Sequence, residues 1–337
     1  MTNSKTLHIK MSNHVSVSLN DLSIGYRNKQ SVRVVAEHVT AGIQRGCLTC
    51  LLGENGVGKS TLLKTLSAFL PKLSGSIQIE GRDLEEYNER ERARIIGIVL
   101  TERPNIQQMT VMELVEMGRA PYTGFWGRLE DDDKKACNEA IALIGIEHLK
   151  DRLLQTLSDG ERQKVMIAKA LAQQTPVIYL DEPTAFLDYP SKVDMLLLLS
   201  RISREAQKTV FLSTHDLELA LQVADIVWLM TRQNGIQIGT PHELAQSGAL
   251  SQFIERSKEI SFDRETLSVT LHSSLFTLNS EYVSYQDVPH GNDVADTSCQ
   301  YAEMEHGMHI FRLVERIEDG TRDIKDTLKD YPDESIH

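Results

Sequence analysis

The sequence predicts an α/β protein with a mostly parallel sheet core, an antiparallel β subdomain, an inserted α-helical subdomain and a C-terminal extension. Three observations predict it. A glycine-rich loop, Gly53 to Thr61, lies between a short apolar strand and a helical pattern. Val177 to Leu180 is a continuous apolar run, as a parallel strand buried on both faces requires. Strand and helix patterns alternate from Gly160 to Asp225, the rhythm of a parallel sheet with crossover helices.

Taken in order, Val15 to Tyr26 alternates apolar and polar residues and reads as a half-buried strand, and Val32 to Val39 repeats the pattern. Leu48 to Leu52 is the strand entering the glycine-rich loop. Leu62, Leu63, Leu66 and Phe69 mark the helix after it, which Pro71 and Gly75 end. Ser76 to Glu80 is another strand. From about Asp83 to Gln155 the pattern is mostly helical. Thr110 reads as an N-cap with Glu113 as its capping-box partner. Asp131, Asp132 and Asp133 read as a solvated, acidic helix start, and Gly145 is placed to stop that helix. Further strands are expected at Val210–Ser213, Ile226–Met230 and Ile236–Gly239. Helices are expected at Lys164–Gln173, Ser191–Glu205, Asp216–Val223 and from Pro241. This gives one domain over residues 14–250, with a helical insert at about 84–156, and an extension over 251–337.

The 337 residues carry a net charge of −12, which argues against binding a nucleic-acid backbone. The greasiest run, Met195 to Leu199, falls far short of the roughly 20 residues of a membrane helix. Met1 to Asn20 lacks an apolar secretory core, so no signal peptide is expected. Four unevenly placed cysteines make no disulfide framework and suit a reducing cytoplasm. Cys47 and Cys50 form a CxxC, but no second ligand pair lies nearby, and they read as small residues on a buried strand.

Three motifs carry chemistry. Gly53-Glu54-Asn55-Gly56-Val57-Gly58-Lys59-Ser60-Thr61 fits the phosphate-loop pattern GxxxxGK[ST]. Its glycines let backbone N–H groups turn inward around an anion, and the next helix points its positive end at the same place. Lys59 is expected to reach the β- and γ-phosphates of ATP, and Ser60 to hold Mg²⁺. The strand at Val177 delivers Asp181 and Glu182 to the sheet edge where ligands bind, Asp181 suited to Mg²⁺ and Glu182 to acting as general base. Third, Leu157-Ser158-Asp159-Gly160-Glu161-Arg162-Gln163 leads into a helix, with Ser158 as N-cap. One chain thus holds two phosphate-seeking helix ends and one ATP motif. The second end is best explained as serving a nucleotide held by another chain.

The order of these motifs, followed by Leu187-Asp188 and Ser213-Thr214-His215-Asp216, resembles the ATP-binding subunits of ABC transporters over about residues 15 to 250. The resemblance implies a P-loop NTPase (RecA-like) core, ATP hydrolysis with Mg²⁺ and a homodimer of ATPase subunits. In that likeness Tyr26 stacks on adenine, and Ser158, Asp159, Gly160 and Glu161 close over the partner's ATP. Asp188 links the two sites, and His215 contacts the γ-phosphate and orients Glu182. Two residues depart from the family pattern. Asp159 replaces the first glycine of the LSGGQ signature, and Glu102 stands where a Mg²⁺-sensing glutamine is usual.

The insert, with Val115-Glu116-Met117-Gly118-Arg119-Ala120-Pro121-Tyr122, resembles that of importer ATPases for iron–siderophore complexes, haem and cobalamin. This implies an integral membrane permease as partner, indirectly a substrate-binding protein, and a peripheral place on the cytoplasmic face of the inner membrane. Phe125 and Trp126 read either as permease contacts or as insert core. Two other functions stay open at this point: a soluble ABC ATPase outside transport, and a nucleotide-gated regulator with weak hydrolysis. In the extension, Cys299, Glu303, Glu305, His306 and His309 read as scattered polar residues rather than a metal site, and Met308 to Ile317 as a short strand or helix.

Overall fold

Two antiparallel strands open the structure, β1 (Val15–Arg27) and β2 (Val32–Gln44). A computed structural model describes residues 15–272 apart from Gln30, residues 102–107, Phe125 and Lys258. The expectations on Glu102, Phe125 and everything beyond residue 272, including Cys299, Glu303, Glu305, His306, His309 and Met308 to Ile317, lie outside the described residues. Next come β3 (Leu48–Gly53), α1 (Lys59–Leu66), β4 (Ser74–Ile79) and β5 (Arg82–Asp83). β1 pairs with both β2 and β4, so the antiparallel sheet runs β2-β1-β4-β5.

The chain continues through α2 (Glu89–Ile95), β6 (Ile96–Val99), α3 (Val111–Glu116), α4 (Asp131–Ile144) and α5 (Asp159–Ala172). After these come β7 (Val177–Asp181), α6 (Tyr189–Glu205), β8 (Thr209–Ser213), α7 (Leu217–Val223), β9 (Ile226–Thr231) and β10 (Gly235–Gly239). The main sheet has the order β10-β9-β3-β8-β7-β6, parallel except for β10. Its central strands are buried throughout and mostly apolar because helices cover one face and the antiparallel sheet with α1 covers the other. On the α1 side, Tyr179 of β7, Phe211 of β8 and, across β3, Trp228 of β9 meet edge to face, with centroids 6.1 and 5.1 Å apart.

Local signals set several boundaries. Thr110 caps α3 in a capping box with Glu113, and Gly145 ends α4 at φ 76°, a left-handed conformation that favours glycine. Other expectations need correction. The stretch 84–156, read as a mostly helical insert, also holds β6, the edge strand of the main sheet. Phe69 does not continue α1. The helix stops at Leu66, Ala68 turns at φ 60°, and Phe69 is left exposed. The acidic start of α4 is not solvated throughout either. Asp133 is buried and accepts from Arg119 Nε at 2.8 Å and from the Glu130 N–H at 3.0 Å. Arg119 is buried too, donating also to the Ala172 carbonyl and to Gln174 Oε1, and its guanidinium lies over the Tyr122 ring. The pair ties α4 to the end of α5 through side chains that periodicity alone does not relate.

Packing also runs past residue 250. After α8 (Pro241–Gln246) come α9 (Ala249–Ile254) and a hairpin of β11 (Ile260–Asp263) and β12 (Ser268–Leu271). Leu250, Ile254, Phe262 and Leu267 are buried in the same core as α5 and α6. No helix among the described residues is long and apolar enough to cross a membrane.

Removing one partner of a buried, fully hydrogen-bonded ion pair leaves a charge without an answer, so Asp133→Ala is expected to cost about 3 kcal/mol. Asp132→Ala, at an exposed position, is expected to cost less than about 0.5 kcal/mol. Burial raises the Asp133 pKa, but the hydrogen bond from Arg119, the Glu130 N–H and the Arg119 charge outweigh it, leaving the carboxyl below its ordinary range. A depressed carboxyl stabilises fully above about pH 4 and loses that contribution as the pH falls through its folded value. Urea denaturation of the three proteins at pH 7 and pH 3 checks both points, and equal midpoints for Asp132→Ala and Asp133→Ala would contradict them.

Candidate active site

The phosphate loop joins β3 to α1 at the centre of the main sheet. Gly58 caps α1 at φ 119°, and a Cβ there would lie 2.0 Å from Val35 Cγ1, so only glycine fits. Val57 is buried beneath the loop and its N–H donates to the Glu54 carbonyl at 3.3 Å. Lys59, the first residue of α1, folds back under the loop. Its Nζ donates to the carbonyls of Gly53 at 2.9 Å and Glu54 at 3.2 Å, and lies 3.4 Å from His215 Nδ1. Burial lowers the Lys59 pKa, and the nearby Glu182 and Asp181 carboxylates pull against that.

Sheet register builds the rest. Asp181 at the end of β7 pairs with Ser213 at the end of β8, which also pairs with Leu51 of β3. The carboxylate therefore meets the loop. Ser60 Oγ donates to Asp181 Oδ1 at 3.1 Å, and Ser213 Oγ donates to the same oxygen at 2.7 Å. Thr101 Oγ1 donates to the Asp181 carbonyl at 2.8 Å. A hydroxyl and a carboxylate converging at a phosphate loop are the hard oxygen donors that a small divalent cation takes, so the residues fit Mg²⁺. Glu182 follows at φ 50°, an uncommon conformation for a residue with a side chain. It is held there by its N–H, which donates to Ser213 Oγ at 3.0 Å and to the Ser213 carbonyl at 3.2 Å.

The Glu182 carboxylate lies 2.5 Å from His215 Nε2. A neutral ring with its proton on Nε2 satisfies both neighbours, donating to Glu182 and accepting from Lys59 at Nδ1. Lys59, His215 and Glu182 thus form one connected line beside Ser60 and Asp181. Tyr26, at the end of β1, touches the same loop, its hydroxyl 3.0 Å from Thr61 Oγ1 and its ring partly exposed. Asn55 and Gly56 sit at the loop's exposed tip.

The other expected residues gather elsewhere. Ser158 caps α5, its Oγ accepting from the Glu161 N–H at 3.3 Å, while Glu161 Oε2 accepts from the Ser158 N–H at 2.8 Å and from its hydroxyl at 3.0 Å. These bonds, the Ser158 N–H first, hold the Glu161 carboxyl below its ordinary range. Asp159 is exposed at the first position of α5, so this helix begins earlier than expected. A Cβ on Gly160 would lie 3.8 Å from Leu187 Cδ2, so the signature borders the start of α6. There Asp188 is the N-cap, accepting from the Ser191 N–H at 3.1 Å, and Phe186 and Tyr189 on either side are exposed.

Sequence reasoning gave Ser213, Thr101 and Asp216 no role. Asp216 accepts from Thr184 Oγ1 at 2.7 Å and from Lys192 Nζ at 2.8 Å, pinning the turn that carries His215. Ser213 and Asp216 flank His215 in a motif already visible, but their partners emerge only from the β7–β8 register. Cys50 is fully buried on β3, and burial pushes its thiol far above the ordinary range.

A family model described as ABC transporter matches residues 36–185. The iron(3+)-hydroxamate import ATP-binding protein FhuC of Bacillus subtilis is 34% identical over 251 residues, covering 74% of this chain and 92% of that protein. This chain belongs to the ABC transporter ATP-binding proteins. The ferric enterobactin transport ATP-binding protein FepC of Escherichia coli is 36% identical to this ABC ATPase, covering 70% and 84% of the two chains. An uncharacterised ABC transporter ATP-binding protein of Methanocaldococcus jannaschii is 38% identical, covering 70% and 80%. Among solved structures, a cbiO subunit from Clostridium perfringens, part of the cbiONQ transporter complex, superposes with TM-score 0.61 at 29% identity, covering 70% and 95%. A dimeric ATP-binding cassette bound to ADP and phosphate shares the fold, with TM-score 0.58 at 24% identity over 67% and 98%.

Because Ser213 Oγ donates to the Asp181 carboxylate and accepts from the strained Glu182 N–H, Ser213→Ala removes hydrogen bonds to charged and strained groups, each worth about 1.5–3 kcal/mol, or roughly 10–100-fold in rate. The kcat for ATP hydrolysis is expected to fall by that factor while circular dichroism stays unchanged. An unaltered kcat would show that Ser213 has no part in placing Asp181 and Glu182.

Proposed function

We propose that this ABC ATPase works as a homodimer on an integral membrane permease and energises import of iron chelates of the siderophore class. The observation that carries the proposal is the pairing, on one chain, of a phosphate loop and a second capped helix end built on different elements. The functions of its relatives, import of iron(3+)-hydroxamates and transport of ferric enterobactin, support the cargo class. The same reading puts the dimer at the cytoplasmic face of the inner membrane, where ATP is present, with a substrate-binding protein delivering cargo from the far side.

Each triphosphate is bound by the Gly53–Thr61 loop of one copy and the Ser158–Glu161 end of the other. The loop's N–H groups and Lys59 take the β- and γ-phosphate charge. Ser60 and Asp181 would hold Mg²⁺, which supplies charge neutralisation at the phosphate oxygens when bound. Glu182 accepts the proton of the attacking water, and His215, in contact with both Glu182 and Lys59, orients it toward the γ-phosphate. Tyr26 offers its exposed ring to the adenine. Asp188, beside the signature, ties the state of one site to the other. Closure of the pair around ATP draws the attached permease halves together, and hydrolysis releases them.

Loss of the general base is expected to lower turnover by about 10²–10⁴-fold. Glu182→Gln with ATP and Mg²⁺ is therefore expected to accumulate as a dimer in light scattering. Normal turnover without a dimer would contradict the scheme. Deleting the gene is expected to abolish uptake of a labelled iron(III)–hydroxamate, and a loss confined to another cargo would redirect the assignment.

A further inference from the structure

The phosphate loop carries a charge of its own. Glu54 is its second residue, and its backbone carbonyl is one of the two that hold Lys59 Nζ. A free carboxylate at that point opposes the loop's task, since it repels the anion that the N–H groups and the ammonium attract. Its charge is answered from outside the loop. Arg256 Nη2 donates to Glu54 Oε1 at 2.6 Å, and Arg232 Nε lies 3.9 Å from Oε2.

Arg256 stands 202 residues along the chain from Glu54, just past α9. It is held in place. Its Nε donates to the Phe253 carbonyl at 3.1 Å, its N–H to the Ile254 carbonyl at 2.8 Å, and its guanidinium lies 5.3 Å from the Phe253 ring centroid. The neighbouring segment is anchored as well. Glu255 accepts from the Phe262 N–H at 2.9 Å, Phe262 and Leu267 are buried, and the Val269 N–H donates to Glu218 Oε1 on α7 at 3.1 Å. The packed segment beyond residue 250 thus reaches both the phosphate loop and the helix that follows His215.

We propose that Arg256 is a positioning residue for nucleotide binding: it fixes and neutralises the Glu54 carboxylate, so that the loop meets the triphosphate without an opposing charge. The proposal rests on the phosphate-loop assignment, which Lys59→Ala tests separately in the same assay.

The test is ATP affinity of the full chain, measured by fluorescence titration with Mg²⁺ at low salt. A half-exposed pair acting on a polyvalent anion through partly screened space is expected to shift affinity by about three- to tenfold. Arg256→Gln should weaken ATP binding by that factor, and the loss should shrink at high salt. Arg256→Lys, which keeps the charge, should bind within about twofold of the unaltered chain. The decisive arm is the Glu54→Gln background, where Arg256→Gln is expected to change affinity less than about twofold, because no carboxylate is left to neutralise. Equal losses in both backgrounds would mean that Arg256 acts on the nucleotide or the fold directly. No loss in the unaltered background would mean that the pair is irrelevant to binding. Either result overturns the proposal.

Discussion

The ammonium of Lys59 is buried, and a buried charge has to be answered by oxygen. Here the answer comes from the carbonyls of Gly53 and Glu54, with His215 beside them. That arrangement keeps the cation at the mouth of a loop whose N–H groups need an anion. The sheet order then does the rest: β3 lies next to β8, and β8 next to β7, so Ser213, Asp181 and Glu182 arrive at the same edge. Glu182 sits in an uncommon backbone conformation secured by two bonds to Ser213, which fixes the residue proposed as general base.

The second anion-seeking end has a different construction. At α1 a glycine in a left-handed conformation opens the helix, whereas at α5 a serine and a glutamate cap each other. Among the described residues no side chain caps the first. The second is a finished helix start, flanked by the Asp188 cap and the exposed Phe186 and Tyr189. A surface with those aromatic groups beside a capped helix end suits contact with another protein copy. The proposed shared site follows from this asymmetry.

Much of this was legible in the sequence because it is local. The phosphate loop, the Thr110–Glu113 capping box, the Ser158 cap, the stop at Gly145 and the apolar strand before Asp181 each declare themselves within a few residues. What escaped is non-local. Asp133 reads as one of three solvated acids until Arg119, on another element, is seen to bury it. Ser213 gains its role only from strand register. The bond between Glu54 and Arg256 joins a motif to a segment that looked like the start of a tail. Phe69 shows the opposite error, an apolar residue at helical spacing that the chain leaves outside because the helix ends first.

The shared active centre is tested most directly by mixing two inactive proteins, one carrying Lys59→Ala and the other Ser158→Arg. If each site takes its loop from one copy and its signature from the other, a mixed dimer has one intact site, and random pairing restores up to about a quarter of normal ATPase activity. If each chain hydrolyses ATP alone, the mixture stays at the average of its inactive parents, and the account of a shared centre is wrong.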